Sequence, residues 1–227
     1  MASIHGNKST VPAVIVITAL ILCGCAACLN SEKATELEAI QVKEYSGERL
    51  SSINDFHENS IKGAQYIDPA TYRLKVIGLA AQPLSYTYAE IINKYKSYTK
   101  PVTLDCVEGW SVKILWEGLL IKDLLNEAGV LPTANTVIFH AYDGYTTSLP
   151  LKYVLDNNIL LAYKMNGVTI PPARGYPFQL VAEQKWGYKW IKWVTQIELS
   201  DDLDYKGYWE KAGYSNDAGL EKPFFDR

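Results

Sequence analysis

One short stretch, DCVEGWS at residues 105–111, holds the side chain in the body of this chain that is best suited to chemistry. Cys106 lies between the carboxylates Asp105 and Glu108, and a glycine and a tryptophan follow. A cysteine can act as a nucleophile, bind a soft metal or pack as a small apolar side chain. The residue types leave all three roles open, and inert packing is the commonest of them.

The chain begins with a segment that predicts export. Residues 11–22 (VPAVIVITALIL) are apolar, too short to cross a bilayer of about 30 Å as a helix, and of the right length for a signal-peptide core. They lead into LCGCAAC, which resembles the lipobox of lipoproteins and predicts a lipid on Cys25 at the outer face of the membrane. Secretion without lipid and an uncleaved membrane anchor are the alternatives. We predict a leader over 1–24, a tether leading into the fold over 25–58, and one domain over 59–227.

The supply of cysteines limits what the thiol can do. The exported body would keep Cys28 and Cys106, which are too few for a disulfide framework. A lone thiol in an oxidising compartment is open to oxidation and unwanted pairing, so we expect the sulfur of Cys106 to be bound or buried. A thiol redox pair of Cys28 with Cys106 is a further alternative, although the tether lies between the two positions.

Charge and residue supply argue against several classes of function. Lys and Arg number 22 against 25 Asp and Glu, so no basic surface is predicted for nucleic acid. Only three histidines are present, and His5 lies in the leader, which leaves little for a zinc site or a Ser-His-Asp triad. The sequence also lacks the phosphate-binding GxxxxGK motif, GxGxxG after a strand, and the haem-attaching CxxCH, which disfavours nucleotide cofactors and covalent haem.

Short strands with turn signals between them dominate the hydrophobic pattern. Residues 100–106 (KPVTLDC) predict a strand that ends at Cys106, and residues 121–130 predict a helix that stops at Gly129. A second short helix is predicted over 88–95. The other predicted strands cover 71–78, 136–142, 158–163, 178–182 and 193–199. The pattern has no βαβ rhythm and no internal repeat, and it predicts a β-rich α+β domain with a mixed sheet and short helices.

Six motifs in a fixed order resemble those of one family. They are CVEGWS, LWEGLLIKDLL, DGYTTSLPL, MNG, RGYPFQLV and KWGYKWIKWVTQIEL. From about Asn59 to the terminal GYWEKAGYS, the chain is similar to the sulfite oxidase-like molybdopterin-binding domain. The likeness is closest to small, exported, single-domain members, a group that includes the catalytic subunit of the periplasmic methionine sulfoxide reductase.

The resemblance implies a molybdenum enzyme. In this family a single cysteine binds molybdenum beside the two sulfurs of one pterin, and Cys106 stands at that position. The implied reaction is a two-electron oxygen-atom transfer on a small substrate or sulfoxide-type group. Because this sequence shows no haem or flavin motif, we expect electrons to be exchanged with a separate partner, such as a membrane protein or a small cytochrome. The alternative is a non-catalytic lipoprotein module that keeps the fold without the cofactor.

The resemblance also implies contacts to the pterin and its phosphate. Arg174, Lys189 and Lys192 lie in the segments that bracket this group in relatives, and Asn59 lies where relatives offer another contact. On residue type alone, each of the cations would be a solvated surface charge. Two departures weaken the expected phosphate clamp. Arg174 stands where His or Asn is common, and Gln179 stands where Arg is common.

The sequence gives weaker indications of the substrate. Sulfite-oxidising members have an arginine five residues after the cysteine, where this chain has Ser111, so the resemblance disfavours sulfite. Tyr145 and Trp110 are candidates for a pocket wall, although core packing is the commoner role of an aromatic side chain. Residues 186–193 (WGYKWIKW) mix aromatic and basic side chains on both faces of a half-buried strand, which favours core packing over a sugar, membrane or nucleic-acid surface.

Overall fold

A computed structural model describes residues 35–225 of the chain, which divide into two compact units after Ile40. The described part of the first unit is a short helix, α1, over 35–40. The second unit begins at Gln41 and holds the sheets and the cavity described below. Part of the segment predicted as a tether therefore lies within this unit.

The predicted leader over 1–24 and the first part of the predicted tether, with Cys25 and Cys28, lie outside the described residues. Within residues 35–225, no helix combines the length and apolarity that crossing a membrane requires.

Five strands form the first sheet, and every pairing in it is antiparallel. Its strands are β5 (Tyr98–Asp105), β6 (Ser111–Leu120), β9 (Leu160–Met165), β10 (Val168–Thr169) and β11 (Gln179–Val181). The strand order is β10-β9-β6-β5, and β11 also pairs with β9. The long hairpin of β5 and β6 runs in register from Tyr98 opposite Gly118 to Asp105 opposite Ser111, so its loop presents Cys106 at the end of the sheet.

The second sheet also has five strands and mixes directions. Its strands are β3 (Leu74–Gly78), β4 (Leu84–Tyr86), β7 (Thr136–Ala141), β8 (Thr146–Pro150) and β12 (Val194–Ser200). The order is β4-β3-β12-β7-β8, with β12 parallel to β3 and the other pairs antiparallel. A separate hairpin consists of β1 (Glu44–Tyr45) and β2 (Glu48–Arg49). The predicted β-rich α+β class with short helices is confirmed.

Three short helices lie in the second unit: α2 (Tyr88–Lys94), α3 (Ile121–Ala128) and α4 (Leu151–Asp156). Helix α2 begins at a capping box, because Thr87 accepts from the Glu90 N–H while the Glu90 carboxylate accepts from the Thr87 N–H. Helix α3 ends before Gly129 as predicted and buries Leu124 and Leu125 completely. Four single-turn 3-10 helices complete the unit: Ile53–Asp55, Pro172–Arg174, Gly187–Lys189 and Glu210–Ala212.

The prediction of a strand over 186–193 is wrong. The segment contains the 3-10 helix Gly187–Lys189, and strand β12 begins only at Val194. Trp193 has a positive φ of 55°, which a β-strand does not allow. The core packing predicted for this run is nevertheless confirmed, since Trp190, Ile191 and Trp193 are all buried.

A cluster of polar side chains joins helix α2 to helix α3. The Glu127 carboxylate accepts from the Lys94 ammonium at 2.5 Å, from the Tyr95 hydroxyl at 2.6 Å and from the Tyr86 hydroxyl. The Lys94 ammonium and the two hydroxyls hold the pKa of Glu127 at about 2. Hydrogen bonds to a charged group are among the stronger ones, so this carboxylate stabilises the packing of the two helices.

We expect Glu127→Gln to reduce the loss in free energy of unfolding that the protein undergoes at acid pH. The folded pKa lies below the unfolded value of about 4.3, so the stabilisation is complete above that value and is lost as pH falls towards the folded pKa. Urea unfolding at about pH 5 and about pH 3 should therefore show a larger loss for the wild type than for Glu127→Gln. Asp123→Asn on the same helix is the control, because Asp123 forms no ion pair within residues 35–225. Equal losses in all three proteins would contradict the role of the cluster.

Candidate functional site

The loop between β5 and β6 fixes the position of Cys106. The Cys106 N–H donates to the Trp110 carbonyl at 2.9 Å, and the Gly109 N–H donates to the Cys106 carbonyl at 3.0 Å. Gly109 has a φ of +88°, a left-handed conformation that favours glycine. The sequence CVEG therefore closes a tight turn directly after the strand, as the position of Cys106 at a strand end predicted.

The Cys106 sulfur is nearly buried, with 8% of the residue exposed. Its Sγ lies 4.0 Å from the Asn59 amide nitrogen and 3.9 Å from a Glu108 carboxylate oxygen. Burial raises the pKa of this thiol, and the charge of Glu108 raises it further, although N–H groups of Glu108, Asn59 and Val107 oppose both effects. A bound cation would reverse this balance, because a coordinating thiol loses its proton.

Cys106 lies in the wall of a cavity of about 230 Å³. Five parts of the chain line this cavity: the turn around Asn59, the β5–β6 loop, the β7–β8 turn with Asp143 and Tyr145, the stretch from Ala173 to Trp193, and a C-terminal segment that supplies Trp209 and Tyr214. The 3-10 helix at Gly187 packs directly against the cysteine loop, since a Cβ added to Gly187 would lie 3.4 Å from the Cys106 Cα. The cavity therefore forms where segments distant in sequence meet at the end of the first sheet.

Two cations line the cavity. One nitrogen of the Arg174 guanidinium donates to the Phe56 carbonyl at 2.9 Å, and the group also lies over the Phe56 ring at 5.2 Å. The Lys192 ammonium lies 2.9 Å from the Glu58 carboxylate and 4.3 Å from the Trp193 ring centroid. Burial lowers the pKa of both cations, and Glu58 only partly offsets this. An anion bound beside them would favour their charged forms.

Two buried polar side chains lie in the cavity wall, and one of them lacks a hydrogen-bond partner of ordinary geometry within residues 35–225. Gln179 is 3% exposed and lines the cavity. The Ser60 hydroxyl is buried and forms no hydrogen bond of ordinary geometry, although it lies close enough to Glu58 to help lower the pKa of that carboxyl. Buried polar groups in proteins are normally satisfied, so the Ser60 hydroxyl indicates a ligand that completes the wall.

Lys189 is not among the residues that line the cavity. Its side chain is fully buried, and the ammonium lies 2.5 Å from the Glu210 carboxylate. The ammonium also donates to the Ser148 carbonyl at 3.0 Å and to the Asn216 side chain at 3.1 Å. Of the four positions predicted to contact a pterin, the structure therefore brings Asn59, Arg174 and Lys192 to the cavity and uses Lys189 elsewhere.

A polar and aromatic group surrounds the sulfur at the outer side of the cavity. The Glu108 carboxylate accepts from the Trp110 indole N–H at 2.9 Å, and the His57 ring stacks on Trp110 at a centroid distance of 5.5 Å. The hydrogen bond from Trp110, helped by Asn59, lowers the pKa of Glu108. An exposed carboxylate 3.9 Å from the sulfur repels anions at this position.

The structure shows where the other residues considered for substrate binding lie. Tyr145 lines the cavity and donates its hydroxyl hydrogen to the Tyr188 carbonyl at 2.6 Å. Ser111 is exposed at the start of β6 and is not among the lining residues. Sequence reasoning missed Phe56, which contacts Arg174, and Trp209, which lies in the motif GYWEKAGYS.

Comparison with known proteins gives a consistent result for most of the chain. The sequence model of the family described as "Oxidoreductase molybdopterin binding domain" matches residues 61–209. An "Uncharacterized oxidoreductase YuiH" of Bacillus subtilis is 34% identical over 150 residues, covering 66% of this chain and 75% of that protein. A "Putative protein-methionine-sulfoxide reductase subunit YedZ1" of Azospira oryzae is 30% identical over 151 residues, covering 66% of this chain and 56% of that protein.

More distant similarities extend to sulfur-oxidising enzymes. Sulfite oxidase of Gallus gallus is 25% identical over 238 residues, covering 86% of this chain and 51% of that protein. The solved structure of the sulfane dehydrogenase SoxCD from Paracoccus pantotrophus aligns with a TM-score of 0.61 at 24% identity, over 74% of this chain and 51% of that chain. The last similarity shows the shared fold, and this chain spans only about half of these two larger relatives.

Proposed function

Because this chain belongs to the oxidoreductase molybdopterin-binding domain family, we propose that it is an exported molybdenum enzyme that transfers an oxygen atom to or from a small neutral molecule of the sulfoxide type. The observation that carries the proposal is the composition of the cavity wall. A single soft thiol, Cys106, shares one cavity with two half-buried cations, Arg174 and Lys192. A soft metal ligand and an anion site are what a metal held by a phosphorylated cofactor needs.

The side chains in the cavity fit this cofactor. Cys106 would bind the metal, and the coordinated sulfur would be kept out of disulfide exchange. Arg174 and Lys192 would bind the phosphate, while the amide of Gln179 and the hydroxyl of Ser60 would satisfy polar atoms of the pterin. Arg174 approaches from a neighbouring turn and would thereby compensate for the arginine that Gln179 replaces.

The bound group would supply the two-electron redox change and the transfer of oxygen, and the protein would select the substrate. Glu108 beside the sulfur disfavours an anion such as sulfite, and Ser111 supplies no cation in the cavity. A neutral sulfoxide avoids this repulsion. Its reduction to a sulfide takes two electrons and two protons and releases one water, with the electrons coming from a separate reduced carrier protein.

The cellular location belongs to the same proposal. We infer a leader over 1–24, a lipid on Cys25, a tether after it, and a catalytic domain over 59–227 preceded by the hairpin of β1 and β2. A lipid anchor at the outer face of the membrane would hold the enzyme near its electron partner. Mass spectrometry of the N-terminal peptide from the membrane fraction tests this, and an unmodified peptide with an intact leader would contradict it.

The full chain, produced in a host that makes molybdopterin and in a matched strain that does not, tests the function. From the first host we expect about one molybdenum and one pterin per chain, and reduction of methyl phenyl sulfoxide by a reduced viologen dye. Protein from the second host should lack all three. Absence of both molybdenum and pterin from the first preparation would favour the alternative of a non-catalytic module.

We expect Arg174→Met to weaken pterin retention by about tenfold or more, since a hydrogen bond to a charged group contributes about 1.5–3 kcal/mol. Pterin fluorescence after gel filtration measures this. Arg49→Met, at an exposed position of β2, is the matched control and should retain pterin fully. Arg174→Lys should recover part of the retention because it keeps the charge without the planar fork. Full retention by Arg174→Met would remove Arg174 from the phosphate site.

A further inference from the structure

We propose that Trp209 forms the substrate-contacting wall of the cavity, and that the buried ion pair between Lys189 and Glu210 positions it. This inference rests on the proposed function and adds a substrate preference: neutral sulfoxides that carry an aromatic or other large apolar substituent. Trp209 would be a specificity-determining residue, and Lys189 and Glu210 would be positioning residues.

The exposure of the lining residues places Trp209 at the mouth of the cavity. Gln179, Trp190 and Trp193 are between 1% and 4% exposed and form the inner wall. Trp209 lines the same cavity but is 39% exposed, so part of its ring faces solvent. A substrate that enters beside this open ring would contact it, and the cofactor would lie in the deeper part.

A series of contacts joins Trp209 to the loop that carries Cys106. The 3-10 helix at Gly187 packs on the Cys106 loop, and the next residue, Tyr188, packs on the Tyr214 ring at a centroid distance of 5.1 Å. The Tyr214 ring in turn packs on Trp209 at 5.2 Å. The aromatic wall is therefore linked through packed residues to the loop that carries Cys106.

The C-terminal segment that carries Trp209 is attached to the core next to that residue. Glu210 is fully buried and accepts from the Lys189 ammonium at 2.5 Å and from the Thr147 hydroxyl at 2.6 Å. The single-turn helix Glu210–Ala212 then reverses the chain, and the Tyr214 N–H donates to the Trp209 carbonyl at 3.2 Å. Because Glu210 directly follows Trp209, the ion pair limits how far the indole can move.

The chemistry of the wall selects the substrate class. Trp209 and Tyr214 bring no charge to the cavity, and the Glu108 carboxylate beside the thiol disfavours anions. Sulfur atoms and methyl groups next to sulfur make favourable contacts with aromatic rings. An aryl sulfoxide would direct its oxygen towards the metal that Cys106 would hold while its ring packs on Trp209.

The test compares methyl phenyl sulfoxide with dimethyl sulfoxide in the molybdenum-loaded enzyme, using wild type, Trp209→Ala, Trp209→Phe and Tyr66→Ala. Tyr66 is 81% exposed and does not line the cavity, so Tyr66→Ala is the control. We expect the wild type to prefer the aryl substrate in kcat/KM. Trp209→Ala should reduce that preference by about tenfold or more, through KM rather than kcat, and Trp209→Phe should keep most of it. Calorimetric binding of the unreactive methyl phenyl sulfone should weaken in parallel.

The outcomes distinguish a failure of the Trp209 assignment from a failure of the proposed function. An unchanged preference in a folded, molybdenum-loaded Trp209→Ala enzyme would overturn the assignment of Trp209. If Trp209→Ala does not fold, an unchanged preference and unchanged sulfone binding in Glu210→Gln would overturn it, because a wall released from its ion pair should discriminate less. A loaded wild type that reduces neither sulfoxide would refute the proposed function itself.

Discussion

Cys106→Ser is expected to yield a folded protein that contains almost no molybdenum and has lost at least about 100-fold in activity. Mutation of a residue that only hydrogen-bonds to a metal ligand already costs up to about 100-fold, and Cys106 would be the ligand itself. Oxygen in place of sulfur offers a hard, weakly acidic ligand where a soft thiolate is required. The fold should change little, because the Cys106 side chain lies in a cavity wall and the turn around it is held by main-chain hydrogen bonds to Trp110 and Gly109. Elemental analysis, activity and thermal unfolding measure the three quantities.

Ser111→Ala serves as the matched control for this prediction. It lies on the other side of the same hairpin loop, paired with Asp105, and does not line the cavity. Its molybdenum content and activity should match those of the wild type. If Cys106→Ser retained the metal at wild-type stoichiometry, Cys106 would be a buried thiol, and the proposed ligand would have to be sought among other residues of the cavity.

The sequence predicts the local features of the site well, because they depend on neighbouring residues. The alternation over β5 indicates a strand, and the glycine three residues after Cys106 indicates the turn. The helix ending before Gly129 follows from spacing in the same way. Each of these features is set within about one turn or one strand of the chain, which is the range over which propensity and periodicity act.

The rest of the cavity depends on contacts between distant segments, which periodicity does not encode. Phe56 meets Arg174 across 118 residues, and the Asn59 amide meets the Cys106 sulfur across 47. Trp209 reaches the same cavity because its segment is attached to the core, in part by Glu210 and in part by the Tyr208 N–H, which donates to the Thr146 carbonyl. The ordered motifs of the family predict that these segments belong together, but they do not assign each side chain its partner.

Lys189 illustrates this limit. In the run WGYKWIKW, Lys189 and Lys192 are equivalent by residue type, and both were predicted to contact the cofactor. Because the chain forms a 3-10 helix over Gly187–Lys189 instead of a strand, the two ammonium groups lie in different places. Lys192 reaches the cavity and Glu58, while Lys189 enters the protein interior and meets Glu210. Only the three-dimensional position of Glu210 separates the two roles.

Lys189→Met is expected to lower the free energy of unfolding by about 3–5 kcal/mol, because removing one partner of a buried ion pair leaves the other charge uncompensated. Both side chains of the pair are fully buried, and Glu210 Oε2 already has no hydrogen-bond partner within residues 35–225. Urea unfolding of the cofactor-free chain measures the effect. Lys152→Met, in an exposed pair with Asp156, is the control and should cost less than about 1 kcal/mol.

The variant Lys189→Met/Glu210→Gln then separates a structural lysine from a cofactor-binding one. If the penalty comes from the isolated Glu210 carboxylate, neutralising that group should make the double variant about 1–3 kcal/mol more stable than the sum of the two single changes predicts. A lysine that instead bound the phosphate of the cofactor would show no such coupling in cofactor-free protein. Lys189→Met would then unfold at the wild-type urea concentration and would differ only in pterin retention. Coupling in the cofactor-free chain would therefore show that Lys189 attaches the Trp209 segment to the core. No coupling would instead support a role for Lys189 in binding the phosphate.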